Sequence, residues 1–215
     1  MSKNHTALAH HFEDMDQQFE ASSLGMWTFL ITEIMFFGGL FCGYLVYRWN
    51  YPEAFALGSH ELDIRLGTIN TAVLIGSSLS MALAVHWAQL GKRKAIVVSL
   101  ILTIILGSIF LSIKALEYSH KAHEFLIPST NFMFEGVFEP QVKIFFSFYF
   151  CMTGMHAFHM IIGIGLLIYL VIHAHKGRYS ASYFTPVEMI GLYWHFVDIV
   201  WIFLFPLLYL IGRQV

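Results

Sequence analysis

Charge is what this chain has least of. Only 12% of its 215 residues are Asp, Glu, Lys or Arg, about half the share in an average soluble domain. That excludes a solvated surface over most of its length. The net charge of −2 excludes the strong basic field that would draw nucleic acid, so no nucleic-acid partner is expected. Cysteine is scarce as well. Cys42 and Cys151 stand singly in apolar runs without CxxC spacing, which argues against a disulfide or thiolate metal site and for two small buried residues. The first 22 residues, "MSKNHTALAHHFEDMDQQFEAS", lack the basic start and apolar core of a signal peptide. Residues 1–22 are therefore expected to form a polar tail that stays in the cytoplasm. Internal repeats and low-complexity segments are absent, and so is the period-two alternation that a membrane β-barrel needs.

What the chain does have is long apolar runs. Hydrophobic residues make up 57%, the mean hydropathy is +0.65, and there are 21 phenylalanines. Five segments stand out, at about 24–47, 68–90, 95–117, 141–175 and 186–211. Each reaches the ~20 residues that span about 30 Å of hydrocarbon at 1.5 Å per residue. Only helices satisfy their own backbone there. The expected fold is an all-α integral membrane protein, a bundle of five transmembrane helices in one domain over residues 23–213. Five spans put the termini on opposite sides. The basic link "GKRK" (Gly91–Lys94) places the N-terminus in the cytoplasm by the positive-inside rule and the C-terminus outside. Lys/Arg then number six inside and five outside, so the orientation rests mainly on that one cluster.

Helix signals mark the segment ends. Ser22 or Ser23 can cap the first helix, and Pro140 suits the start of the fourth. In "TPVE", Thr185 as N-cap, Pro186 at N1 and Glu188 at N3 form a capping box. In the second segment Ala72, Gly76, Ser80, Ala84 and Ala88 recur every four residues, and Gly39 and Gly43 make a GxxxG step in the first. Such stripes let helices approach closely in lipid.

Several ionisable groups fall at membrane depth, where a charge costs about 2.5–3.5 kcal/mol on insertion scales. Glu33 lies in the first helix, His156 and His159 in the fourth, and His195 and Asp198 in the fifth. Each pair on one helix is spaced i, i+3 and shares a face. The economical arrangement satisfies them internally, Glu33 with an imidazole and Asp198 with a His or Trp N–H. Lys114 and Glu117, also i, i+3, read as an interfacial ion pair with a snorkelling lysine. Three functions compete on these residues alone. A bis-histidine haem site could draw on His156, His159 and His195. A proton relay could use Glu33 and Asp198. An auxiliary subunit could hold no redox centre and pack on a larger partner.

The strings themselves are more specific. "GMWTFLITEIMFFGGLF", "LGTINTAVLIGSSLSMALAVHWA", "LGSIFLSIKALEY", "TGMHAFHMIIG" and "YWHFVDIVWIFLFPLLY" resemble, in order, the helices of subunit III of the haem–copper cytochrome c oxidases. The resemblance covers about residues 24–210, in the short five-helix bacterial form. It implies a non-catalytic core subunit of a terminal oxidase that reduces oxygen with proton pumping, in a bacterial inner membrane. Catalytic, cofactor and metal residues are then absent from this chain, haem and copper lying in partner subunits. Subunit I is the implied direct partner, with subunit II and bound phospholipid. Glu33 matches the family's buried carboxyl, His156 and His159 its two-histidine motif, His195 and Asp198 its closing signature, and Glu117 its Glu-Tyr pair. Together the first five imply a polar set supporting the partner's proton uptake. Lys114 departs from the pattern of longer members, which more often carry a neutral polar residue there. The short form also occurs in quinol oxidases and beside nitric oxide reductases, so the electron donor stays open.

Overall fold

A computed structural model of the chain describes residues 8–129, 132–134, 136 and 138–210. It is helical throughout: α1 (Met15–Asn50), α2 (Pro52–His60), α3 (Ile64–Gln89), α4 (Arg93–His123), α5 (Glu139–His175) and α6 (Thr185–Phe205), followed by a π-helical turn at Pro206–Leu210. All but α2 are long and apolar enough to cross a membrane. The end of the fifth expected span, at residue 211, lies outside the described residues.

The spans begin and end differently from expectation, for local reasons. Helix α1 starts seven residues before Ser22, because the Asp14 carboxylate accepts from the Gln17 amide at 2.7 Å and caps it there. Ser22 is instead inside the helix, its hydroxyl donating to the Gln18 carbonyl. Much of the polar tail is thus the first turns of α1. Helix α2 was unforeseen: Pro52 starts it, and Gly58 lies so close to the Phe145 ring of α5 that a Cβ could not be accommodated. The capping box at Glu188 does not form. Phe184, not Thr185, takes the cap position, and its carbonyl accepts from the Val187 and Glu188 amides. Thr185 comes one residue too late, and one Glu188 oxygen is buried without a hydrogen bond. The cysteines are free and exposed on the outer surface of the bundle, not buried.

Helix α6 is the axle. Over half of its span (56%) is buried, against 17% for α1, with Trp194 and Trp201 fully enclosed. Two glycines make room for Trp194. A Cβ on Gly107 of α4 would sit 2.8 Å from the indole, and one on Gly163 of α5 2.9 Å. Helix α3 packs chiefly along α4, where Ser80, Ala84 and Ala88 are buried and the Ser80 and Thr103 hydroxyls meet at 2.7 Å. Gly76 faces Leu106 at an ordinary 3.7 Å, and Ala72 points outward. The stripe therefore works over its second half.

Helix α1 is the outlying span, buried at Leu30, Phe37 and Tyr44, one residue every seventh. Its GxxxG step is split. Gly43 meets Phe148, but nothing lies within 4 Å of a Cβ on Gly39, so Gly39 is on the open face. Pro206 has no N–H to continue the α6 ladder. The chain passes there into the π turn, which carries Tyr209 inward.

Candidate functional site

Three polar groups are built into the apolar bundle. In the first, Glu33 of α1 and His159 of α5 meet at 3.0 Å between Oε2 and Nε2. The other ring nitrogen, Nδ1, lies 2.8 Å from the Met155 carbonyl. A carbonyl only accepts, so Nδ1 carries a hydrogen. A carboxylate also only accepts, so the 3.0 Å contact needs one further proton, on the imidazole or on the carboxyl. Whichever side holds it, the pair is neutral overall and keeps one proton between two heavy atoms. Tyr193 of α6 fixes the same turn of α5 by donating to the His159 carbonyl at 2.9 Å. The Glu33 side chain is 20% exposed, so this proton lies close to the bundle surface.

The second group surrounds α6. Although His156 is i, i+3 from His159, it turns to the opposite side. Its Nε2 donates to the Val197 carbonyl at 3.0 Å, and its ring lies between Phe110 and Trp201. His195 pairs through Nδ1 with the Ser78 hydroxyl of α3 at 2.8 Å. Asp198 departs from expectation. The Trp194 indole donates to Ser77 and the Trp201 indole to Thr71, and no histidine reaches the carboxyl. Both Asp198 oxygens are buried without a hydrogen bond of ordinary geometry, although Ser78 is a neighbour.

The third group is an ion pair in an aromatic cage. The Lys114 ammonium donates to Glu117 at 2.9 Å, Tyr209 at 3.0 Å and Tyr149 at 3.1 Å, which uses all three of its protons. Tyr209 donates in turn to the second Glu117 oxygen. The rings of Tyr118 and Trp201 complete the cage. Lys114 and Glu117 are each 3% exposed, so the lysine does not snorkel to an interface: its partners hold it inside.

The imidazoles do not fit a bis-histidine haem. His159 has both nitrogens engaged, His156 is enclosed between two rings, and His195 is turned to Ser78. Among the described residues no three His, Cys, Asp or Glu side chains converge as a metal site.

The family model of cytochrome c oxidase subunit III matches residues 1–213. The chain belongs to that family. It is 33% identical over 195 residues to the cytochrome c oxidase subunit 3 of Thermostichus vulcanus, covering 88% of this chain and 87% of the relative. It is 31% identical over 196 residues to a probable quinol oxidase subunit 3 of Staphylococcus haemolyticus, covering 90% of each. A second such protein, from Staphylococcus saprophyticus, is 28% identical over 208 residues. As a subunit III, the chain has five helices long enough to cross a membrane as a multi-pass bundle.

Reading the sequence brought Glu33 to an imidazole but missed two features of this subunit III. The cage around Lys114 draws on Tyr149 and Tyr209, 35 and 95 residues away, with no local pattern to announce them. The Trp194 slot was more accessible. Gly107 and Gly163 each interrupt an apolar run, and glycine there signals a close approach.

Proposed function

We propose that this chain is a non-catalytic core subunit of a respiratory terminal oxidase in a bacterial inner membrane. It packs against the haem- and copper-bearing subunit I, with subunit II in the same complex, and holds phospholipid along its flank. The single observation that carries this is the family match over residues 1–213, on a bundle whose three candidate imidazoles are engaged by its own side chains and backbone. The Glu33–His159 pair supports proton uptake in the partner by keeping a neutral, proton-bearing group near the surface of α1. An apolar groove between α1 and α6, about 400 Å³ and lined by residues including Trp27, Ile34, Phe41 and Phe203, suits an acyl chain. The N-terminus is cytoplasmic and the C-terminus outside, with the Gly91–Lys94 link inside.

The donor is either cytochrome c or quinol, since relatives with both names match at similar identity. The decisive experiment is a mild-detergent purification through a tag on this chain, with a reduced-minus-oxidised spectrum of what accompanies it. A co-purifying haem–copper subunit with oxygen consumption is the expected result, and the donor that sustains turnover distinguishes the two oxidase types. A chain that emerges alone, itself carrying haem, overturns the proposal.

A further inference from the structure

Between α3 and α6 a groove of about 340 Å³ opens on the bundle surface, walled by Leu74, Ile75, Ile199 and Ile202 with Asp198 and Ser78 at its base. Asp198 is 3% exposed and neither of its oxygens has a hydrogen bond of ordinary geometry, Ser78 being the neighbour able to donate. An unsatisfied polar group in a low-dielectric site costs about 1–3 kcal/mol, more when charged. Ser78 can supply at most one O–H, and it is free for the carboxyl only when the His195 Nδ1–H donates to the Ser78 oxygen. A carboxyl has room for about four hydrogen bonds.

Depth decides what can fill the groove. Asp198 stands 13 residues after Thr185 and 12 before Leu210 in the span, about 20 and 18 Å from its ends at 1.5 Å per residue. Lipid at that level is acyl chain and has no hydrogen-bond donor. Headgroups, which do, lie about 15 Å away at the edge of the hydrocarbon. An internal water could donate, but it needs about two to four polar partners of its own, and walls of Leu74, Ile75, Ile199 and Ile202 offer few; a protein side chain is the better donor at this depth. Helix α6 already flanks the site with exposed Ile199, Ile202 and Phe203, and α3 with Ile75 and Leu79, a surface suited to another apolar helix.

We propose that this groove is the docking site for a transmembrane helix of a partner oxidase subunit, which inserts an N–H or O–H side chain to hydrogen-bond Asp198. The inference rests on the reading of the chain as an oxidase subunit. Asp198 is thus kept as the unfinished half of an intermolecular bond, its own chain offering it no more than the single Ser78 hydroxyl.

The test separates folding from association in the full-length chain. Asp198→Leu removes the orphan carboxyl, so the chain alone in detergent keeps or raises its thermal midpoint. Its recovery of oxidase subunits falls roughly ten-fold, the scale of one intramembrane hydrogen bond. Asp198→Asn, which retains an acceptor, falls less. A photo-crosslinker at Ile75 or Ile202 in native membranes captures an oxidase subunit, whereas one at Val98 on α4 does not. A lowered midpoint for Asp198→Leu overturns the proposal, because the carboxyl then has an internal role. So does undiminished recovery, or a crosslink at Ile75 to lipid alone. If the wild-type chain recovers no oxidase subunit, the oxidase reading itself fails and takes this one with it; recovery by wild type and Asp198→Leu alike sinks the docking proposal only.

Discussion

Replacing Glu117 by Ala separates a buried ion pair's strength from its worth. At 2.9 Å two unit charges attract by about 6 kcal/mol if the effective dielectric constant is near 20. Withdrawing both from water costs several kcal/mol per ion, so the net value against a hydrophobic pair is small. A single substitution is different, because it leaves one ion enclosed. Glu117→Ala keeps the ammonium with only Tyr149 and Tyr209 as acceptors, and Lys114→Met keeps the carboxylate with only the Tyr209 hydroxyl. Each should destabilise the chain by about 3–5 kcal/mol. The double variant Lys114→Met, Glu117→Leu leaves two tyrosines near enough to bond each other, and should cost no more than about 2 kcal/mol. The assay is unfolding of the full-length chain by dodecyl sulfate in mixed micelles, followed through the summed fluorescence of its five tryptophans, of which Trp201 lies 5.1 Å from the Lys114 nitrogen. If the double variant loses the sum of the singles to within about 0.5 kcal/mol, the two groups do not act as a pair and the reasoning is wrong.

Adding one methyl at Gly107 or Gly163 forces the Trp194 indole aside, and each Gly→Ala change should lower stability by about 1–3 kcal/mol in the same unfolding assay. Gly39→Ala, with nothing within 4 Å, should show no loss; a loss as large as at Gly163 would mean that α1 packs differently. Glu33→Ala should leave assembly intact but shorten the number of turnovers the purified oxidase completes before inactivation. Glu33→Gln, whose amide can donate to a neutral His159 Nε2, should preserve most of that lifetime; equal lifetimes for Ala and wild type would remove Glu33 from any supporting role.

What could be read from the chain and what could not divides along the range of the interactions. The five spans follow from hydropathy, a property of each segment alone, and all five are present. Their limits moved because caps are decided by single atoms. Asp14 outcompetes Ser22 by offering a carboxylate to the Gln17 amide, and Thr185 fails because Phe184 already occupies the turn. The i, i+3 spacing put His156 and His159 on one face of α5, yet their side chains part. One turned to α1 and the other to α6. Rotation of a helix about its axis is settled by packing, and in a chain apolar on every face no amphipathic stripe records it.

Asp198 shows the same limit from the other side. Energy at membrane depth requires that a carboxyl be satisfied, and within one sequence the natural candidates were the nearby histidine and tryptophans. Those groups are turned elsewhere: His195 to Ser78, Trp194 to Ser77 and Trp201 to Thr71. The three bonds tie α6 to α3 through hydroxyls and leave the strongest acceptor in the helix without a hydrogen bond of ordinary geometry. The other hydroxyls on that face of α3, Ser77 and Thr71, are already committed to the Trp194 and Trp201 indoles. A bundle that satisfies its weak acceptors and leaves its strong one short of donors is what the docking proposal expects, with the completing group reaching the Asp198 groove from a partner helix.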